Sequence, residues 1–236
     1  MPGKKTAIVT GASRGIGAGI VDGFLREAYN VVATSRRANR KANSPDNLIL
    51  LDGDIGEPQT ATQAVEAAIS NFGTVDVLVN NAGIFLSKPF TDFTIEDFDA
   101  LTSTNLLGFF YITQRTVKEM LKQTSGCIVS ITAALADRPI SGANGSISMI
   151  TKGGLNAATR NLAIEYLNDG IRFNAVAPGV VDTPMHRNGS GESTLDPAIK
   201  KATVKDVVDA VLYLAQADHV SGEILYVDGA APARRW

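Results

Sequence analysis

The sequence predicts an α/β fold in which helices cover both faces of a central, about seven-stranded parallel sheet. Three observations carry that expectation. Short runs that are apolar throughout alternate with longer amphipathic ones, the mark of strands buried on both faces and separated by helices. A glycine-rich turn joins the first apolar run to the first amphipathic stretch. The chain has 236 residues, 44% of them hydrophobic, which fits one large domain, 1–236, with a sizeable core.

Taken in order, Thr6-Ala7-Ile8-Val9 is the first short apolar run and reads as a strand, 6–9. The turn Thr10-Gly11-Ala12-Ser13-Arg14-Gly15-Ile16-Gly17 follows it and opens a helix over 16–28. A strand over 30–34 comes next. Residues 35–47 are rich in Arg, Lys, Asn and Pro without helical periodicity, so an irregular loop is expected there. A strand at 48–51, a helix at 59–72 and a strand at 75–79 continue the alternation. One long helix is expected over 95–122, then a strand at 127–131 and a helix at 147–167. A strand at 172–176, a Gly/Ser-rich loop at 188–194, a helix at 204–215 and a strand at 224–227 complete the chain. No repeat or linker interrupts it.

Composition removes several functions. The net charge of −2, with no block of like charge, offers no field for nucleic acid. The single cysteine, Cys127, rules out an internal disulfide or a cysteine metal cluster, and its place in Gly126-Cys127-Ile128-Val129 reads as core packing. No metal site is expected. No signal peptide or membrane-length apolar run is read, so a soluble cytoplasmic protein is expected.

The turn after the first strand is informative about chemistry. A glycine-rich turn between a strand and a helix is where a dinucleotide pyrophosphate binds, because the glycines allow close backbone approach and the helix N-terminus presents free N–H groups. The spacing T-G-x-x-x-G-x-G resembles that of the short-chain dehydrogenase/reductase family. Further motifs resemble the same family in its order: Asn80-Asn81-Ala82-Gly83; Asn105-Leu106-Leu107-Gly108; Asn174-Ala175-Val176-Ala177-Pro178-Gly179 with Thr183-Pro184-Met185; and Ser221-Gly222-Glu223 with Val227-Asp228-Gly229.

The resemblance implies a Rossmann-type domain, oxidoreductase activity and a nicotinamide cofactor. It implies that Gly11, Ser13, Arg14, Gly15, Ile16 and Gly17 cradle the cofactor. Asp54 and Ile55 flank its adenine, Asn81, Ala82 and Gly83 border the adenosine half, and Pro178, Gly179, Val181 and Thr183 cover the nicotinamide. A homo-oligomer, tetramer or dimer, is implied too, with 95–122 and 147–167 in one interface and 224–227 in another. Cofactor choice is read from the end of the second strand, where an acidic residue normally marks NAD. Here Val31-Val32-Ala33-Thr34 runs into Ser35-Arg36-Arg37. Arg14 and Arg36 suit a 2′-phosphate through charge and paired hydrogen bonds, so NADP(H) is expected over NAD(H). Arg40 and Lys41 read as solvated loop surface.

The family's catalytic group is a Ser, a Tyr and a Lys, with an Asn that holds a relay water. Lys152 and Asn105 match; the resemblance implies that Lys152 also binds the nicotinamide ribose, and that Ser35 joins Arg36 in holding the cofactor at the end of the second strand. The Tyr position holds Ser148, and none of Tyr29, Tyr111, Tyr166, Tyr213 and Tyr226 lies near it in sequence. The Ser position falls on Thr132 or Ala133; Ser141 and Ser146 read as loop residues. An aliphatic hydroxyl is far less acidic than a phenol, whose pKa is about 10. Two ways of protonating a substrate oxygen remain: a water held by Ser148 and Lys152 and fed through Asn105, or His186, which follows Thr183-Pro184-Met185. The expected substrate is a small carbonyl/alcohol pair or an activated C=C or C=N bond. The alternative is a cofactor-binding sensor or scaffold without turnover. The sequence does not name the substrate.

Overall fold

The computed structural model describes residues 3–37, 44–183 and 201–230. The strands are β1 (Thr6–Thr10), β2 (Asn30–Ser35), β3 (Leu48–Asp52), β4 (Val77–Asn80), β5 (Gly126–Ile131), β6 (Ile171–Pro178) and β7 (Ile224–Val227). The helices are α1 (Gly15–Arg26), α2 (Pro58–Phe72), α3 (Ile95–Thr102), α4 (Gly108–Gln123), α5 (Ser146–Glu165) and α6 (Val204–Gln216). All seven strands are parallel, in the order β3-β2-β1-β4-β5-β6-β7. This is the expected doubly wound sheet. Strand order reverses between β1 and β4, and a crevice opens there beyond the carboxyl ends of the strands.

The period of two along each strand divides the core between the faces. Ala7 and Val9 of β1 pack with Ile20, Phe24, Val207, Val211 and Leu214 beneath α1 and α6. Ile8 points the other way, with Leu78, Ile128 and Phe173, under α2, α4 and α5. Cys127 is buried in the first of these layers, and burial pushes its thiol up to about 11, so it is an inert packing group, as its strand position suggests.

Several helix ends are set by local chemistry. Thr94 with Asp97 and Thr203 with Asp206 form reciprocal capping boxes that start α3 and α6. Pro58 occupies the first turn of α2, and Gly73, in the left-handed region at φ 79°, ends it.

Three expectations need correction. The helix expected over 95–122 is not one regular α-helix, because a π-helical turn, Ser103–Leu107, separates α3 from α4. Such a turn inserts a residue and re-aims its side chains, and a periodicity argument cannot see it. The strand expected from Val75 starts at Val77, because the Val75 N–H and C=O pair with the Gln123 side-chain amide at 3.0 and 2.9 Å. The helix expected to reach 167 stops at Glu165, and a single 3-10 turn, Leu167–Asp169, follows. In the stretch read as an irregular loop, residues 36–37 and 44–47 carry no helix; Arg40 and Lys41 lie outside the described residues. So do His186 and the Gly/Ser-rich segment 188–194.

Candidate functional site

A cleft of about 1210 Å³ lies along the carboxyl ends of the strands, running from the β1–α1 turn across to α5. Its floor is shaped by glycine at the two closest approaches. Gly11 sits at φ +66°, and a Cβ there would lie 2.7 Å from Ala82 Cα. A Cβ on Gly17 would lie 2.2 Å from Gly11 O and 2.5 Å from Asn81 Nδ2. No side chain fits either place, so backbone faces the cleft. Arg14 enters α1 in an extended conformation, and no side chain caps the helix start. The first-turn N–H groups therefore face the cleft with the positive end of the helix dipole.

The β4 turn is tied to this floor. Asn81 donates through Nδ2 to Thr10 O (2.9 Å) and Gly11 O (3.1 Å). Thr10 Oγ1 accepts from the N–H groups of Asn81 and Ala82 at 3.1 and 3.0 Å. These bonds hold the loops after β1 and β4 together at the switch point. Asn80 faces the other way and donates to Thr113 Oγ1 (2.9 Å).

Beside the floor, Ser35, Arg36 and Arg37 at the end of β2 line the cleft together with Arg14. Arg14 and Arg36 are exposed, and neither guanidinium has an acidic partner among the described residues. Asp54 turns back on its own loop, accepting from Gly56 N at 2.9 Å, and lines the cleft with Ile55.

At the far end, Lys152 projects from α5. Its Nζ donates to Ile131 O at 2.7 Å, and burial pushes the ammonium down to about 8. Asn105 lies in the π-helical turn, buried behind the cleft wall. Both of its amide protons are engaged: Nδ2 donates to Ile84 O (3.1 Å) and Thr151 Oγ1 (2.9 Å), and Oδ1 accepts from Ile84 N (2.9 Å). Thr151 Oγ1 donates in turn to Ser148 O (2.7 Å). Ser148 Oγ donates to Leu86 O (3.1 Å) and accepts from Leu86 N (3.0 Å). Asn105, Thr151 and Ser148 thus lace the segment 84–86 to α5. Thr132 Oγ1 leans on Val176 O at 3.4 Å.

Every residue expected to hold the cofactor lines this one cleft: Gly11 and Ser13 to Gly17, Ser35 and Arg36, Asp54 and Ile55, Asn81 to Gly83, Lys152, and Pro178, Gly179, Val181 and Thr183. Thr132, Ala133 and Ser148 line it too, whereas Asn105 does not, and Ser141 and Ser146 stay off it. Ser146 is not a loop residue: it begins α5.

The sequence reading missed the apolar end of the cleft, formed by Phe85, Leu86, Leu135, Ile140 and Met149. Those residues sit on three separate segments and share no period. It also missed Arg138, which lines the cleft, pairs with the buried Asp228 at 3.1 Å and stacks on the Tyr226 ring at 3.6 Å. The signal available was a lone Arg inside an apolar, glycine-rich loop.

Known proteins agree with this architecture. Residues 11–230 match the family described as Enoyl-(Acyl carrier protein) reductase. An uncharacterized oxidoreductase of Staphylococcus epidermidis is 31% identical over 225 residues, covering 92% of this chain and 94% of the relative. The 3-ketoacyl-(acyl-carrier-protein) reductase of Brucella melitensis, solved with NADH, superposes with a TM-score of 0.86 at 28% identity, covering 95% of this chain and 97% of that one. ElxO with NADP bound superposes with a TM-score of 0.87 at 28% identity, covering 96% and 98%. Among the described residues, no helix is long and apolar enough to cross a membrane. With the strand order, the glycine floor and the lysine-bearing α5 in place, the chain belongs to the short-chain dehydrogenase/reductase family.

Proposed function

We propose that the protein is an NADP(H)-dependent oxidoreductase acting on a small carbonyl/alcohol pair, or on an activated C=C or C=N bond, with Ser148 at the position where its family carries tyrosine. One observation carries the reading: a single cleft joins the glycine floor and Arg14 and Arg36, which have no acidic partner among the described residues, to the apolar end where Lys152 projects.

The donor set suits the cofactor. The uncapped first turn of α1 offers backbone N–H groups to a pyrophosphate. Arg14 and Arg36 offer planar, charged forks to a 2′-phosphate, and the end of β2 carries no carboxylate to repel it. Asp54 and Ile55 flank the adenine, and Asn81, Ala82 and Gly83 border the adenosine. Pro178, Gly179, Val181 and Thr183 close over the nicotinamide end. Reduced nicotinamide, when bound, supplies hydride to the substrate. The chain's residues bind and orient it, shield the apolar end from water and manage the proton. Phe85, Leu86, Leu135, Ile140 and Met149 favour an apolar substrate body.

The rest of the reading follows the same support. The chain acts as one domain, 1–236, in the cytoplasm, as a tetramer or dimer. Exposed Phe98, Phe110, Leu121, Ile150 and Ile164 on α3, α4 and α5 favour assembly through those helices. The tested outcome is NADPH binding by fluorescence titration, followed by turnover of a panel of apolar aldehydes, ketones, diketones, imines and a 3-oxoacyl thioester. Binding with turnover supports the enzyme. Binding without turnover supports the second reading, a cofactor-dependent sensor or scaffold, which the closed Ser148 hydroxyl favours.

A further inference from the structure

We infer that Lys152 is itself the group that exchanges the proton with the substrate, rather than the helper of another hydroxyl. The inference rests on the oxidoreductase reading and deepens it.

Ser148, Thr132 and Asn105, the hydroxyl and amide groups beside Lys152's end of the cleft, have their protons committed elsewhere. Ser148 can donate a proton to a substrate or water only by giving up its bond to Leu86: its one proton lies on Leu86 O, while it accepts from Leu86 N. Thr132 turns its hydroxyl onto Val176 O. Asn105 has both amide protons and its oxygen engaged, and it stands behind the wall. Neither Asn105 nor Ser148 can hand a side-chain proton to a substrate or water without breaking the lacing that holds 84–86 against α5. These two side chains position the wall.

Lys152 differs on each count. Its ammonium carries three protons, and its one side-chain hydrogen bond among the described residues goes to Ile131 O. It lines the cleft. The lining positions Ala133 and Ser148 are small, so neither puts a ring between the ammonium and the substrate space. Gly83 adds to the opening, since a Cβ there would come within 3.0 Å of Lys152 Nζ.

Charged groups do not compete for this role. Of those that share the cleft, Lys88 is held by Asp97, Arg138 by Asp228, and Asp54 by its own loop. Arg14, Arg36 and Arg37 stand at the opposite end. Close to Lys152 lie Ile131 O, the backbone at Gly83 and, beside that glycine, the Asn105 side chain, and no charged neighbour among the described residues perturbs the ammonium. Burial alone lowers its pKa, to about 8, which leaves a donor poised near neutral pH.

In the direction of reduction, the substrate carbon gains two electrons and a hydrogen nucleus as hydride from reduced nicotinamide. The carbonyl π pair moves to oxygen, and the oxygen takes one proton from Lys152 Nζ. The products are an alcohol, oxidised nicotinamide and a neutral amine, which solvent reprotonates. Oxidation runs the same steps backwards, with the neutral amine as base.

The test combines a titration without cofactor and a set of variants. Carbon-13 NMR of the lysine Cε groups in the cofactor-free protein should show one lysine, absent in Lys152→Arg, titrating near pH 8; a midpoint near the ordinary value of about 10.4 overturns the proposal. With NADPH and the best-reduced member of the panel above, kcat for reduction should fall as pH rises through that midpoint. Lys152→Arg keeps a cation but holds its protons, so NADPH affinity should stay within about threefold while kcat falls at least about 100-fold. Lys152→Ala should be rescued by methylammonium. Turnover that persists in Lys152→Arg, a flat pH profile from 7 to 9.5, or failure of rescue in a Lys152→Ala protein that still binds NADPH overturns the lysine's role and leaves the enzyme reading standing. Failure of the wild type to bind NADPH, or to turn over any panel member, overturns that reading and this proposal with it.

Discussion

Gly17→Ala tests the glycine floor most directly. The new methyl would fall 2.2 Å from Gly11 O and 2.5 Å from Asn81 Nδ2. Gly11 cannot retreat, because it holds φ +66° and its own α-carbon is packed toward Ala82, where a Cβ would already meet backbone at 2.7 Å. The helix start or the Asn81 amide must therefore move by most of an ångström. Overpacking of this kind costs about 1–3 kcal/mol. Displacing the amide also weakens its bonds to Thr10 O and Gly11 O, each contributing about 1 kcal/mol. The expected loss is about 2–4 kcal/mol, which in a domain of this size lowers Tm by roughly 5–15 °C. Affinity should suffer as well, since each 1.4 kcal/mol lost from the bound geometry weakens binding about tenfold. The assay is thermal unfolding by circular dichroism with NADPH titration on the same sample. A Tm within about a degree of wild type together with unchanged NADPH affinity would refute the claim that the floor is sterically closed and faces the cofactor.

Wild-type protein should bind NADPH at least about tenfold more tightly than NADH, and Arg36→Asp should erase that preference by weakening NADPH alone; equal wild-type affinities count against the 2′-phosphate assignment. Ser148→Ala leaves the Leu86 N–H and C=O unpaired and should cost about 1–3 kcal/mol of stability, read as a lower Tm, while the Lys152 titration keeps its midpoint; a large shift in that midpoint would mean Ser148 acts on the lysine directly. His186→Ala should change turnover by less than about twofold, and a collapse would move the proton donor there. Light scattering at micromolar concentration should give a dimer or tetramer mass, and a monomer mass would remove the assembly reading.

Alternation of apolar and amphipathic runs, with the glycine turn, was enough to specify a parallel sheet, the strand count and the location of the cleft. Those features depend on local period and on residues that must be glycine wherever backbone approaches backbone, and both leave direct marks in a sequence. The π-helical turn around Asn105 is not legible there, because one inserted residue leaves the apolar pattern of 95–122 nearly intact. Nor is the early loss of pairing at Val75, which depends on Gln123, far along the chain.

The candidate site divides along the same line. The sequence by itself pointed to residues that line the cleft along strand ends and turns, since each follows a strand or opens a helix whose place in the sheet is given by order. It also determined that position 148 carries no phenol. Only the tertiary structure decided what the remaining hydroxyls do. Ser148 closes on Leu86, 62 residues away in sequence, and Asn105 on Ile84 and Thr151, 21 and 46 residues away. A hydrogen-bonding group has few protons and lone pairs, and which of them remain free depends on neighbours brought together by the fold rather than by the chain. The apolar end of the cleft, and the lysine that faces it with protons to give, come from that same long-range packing.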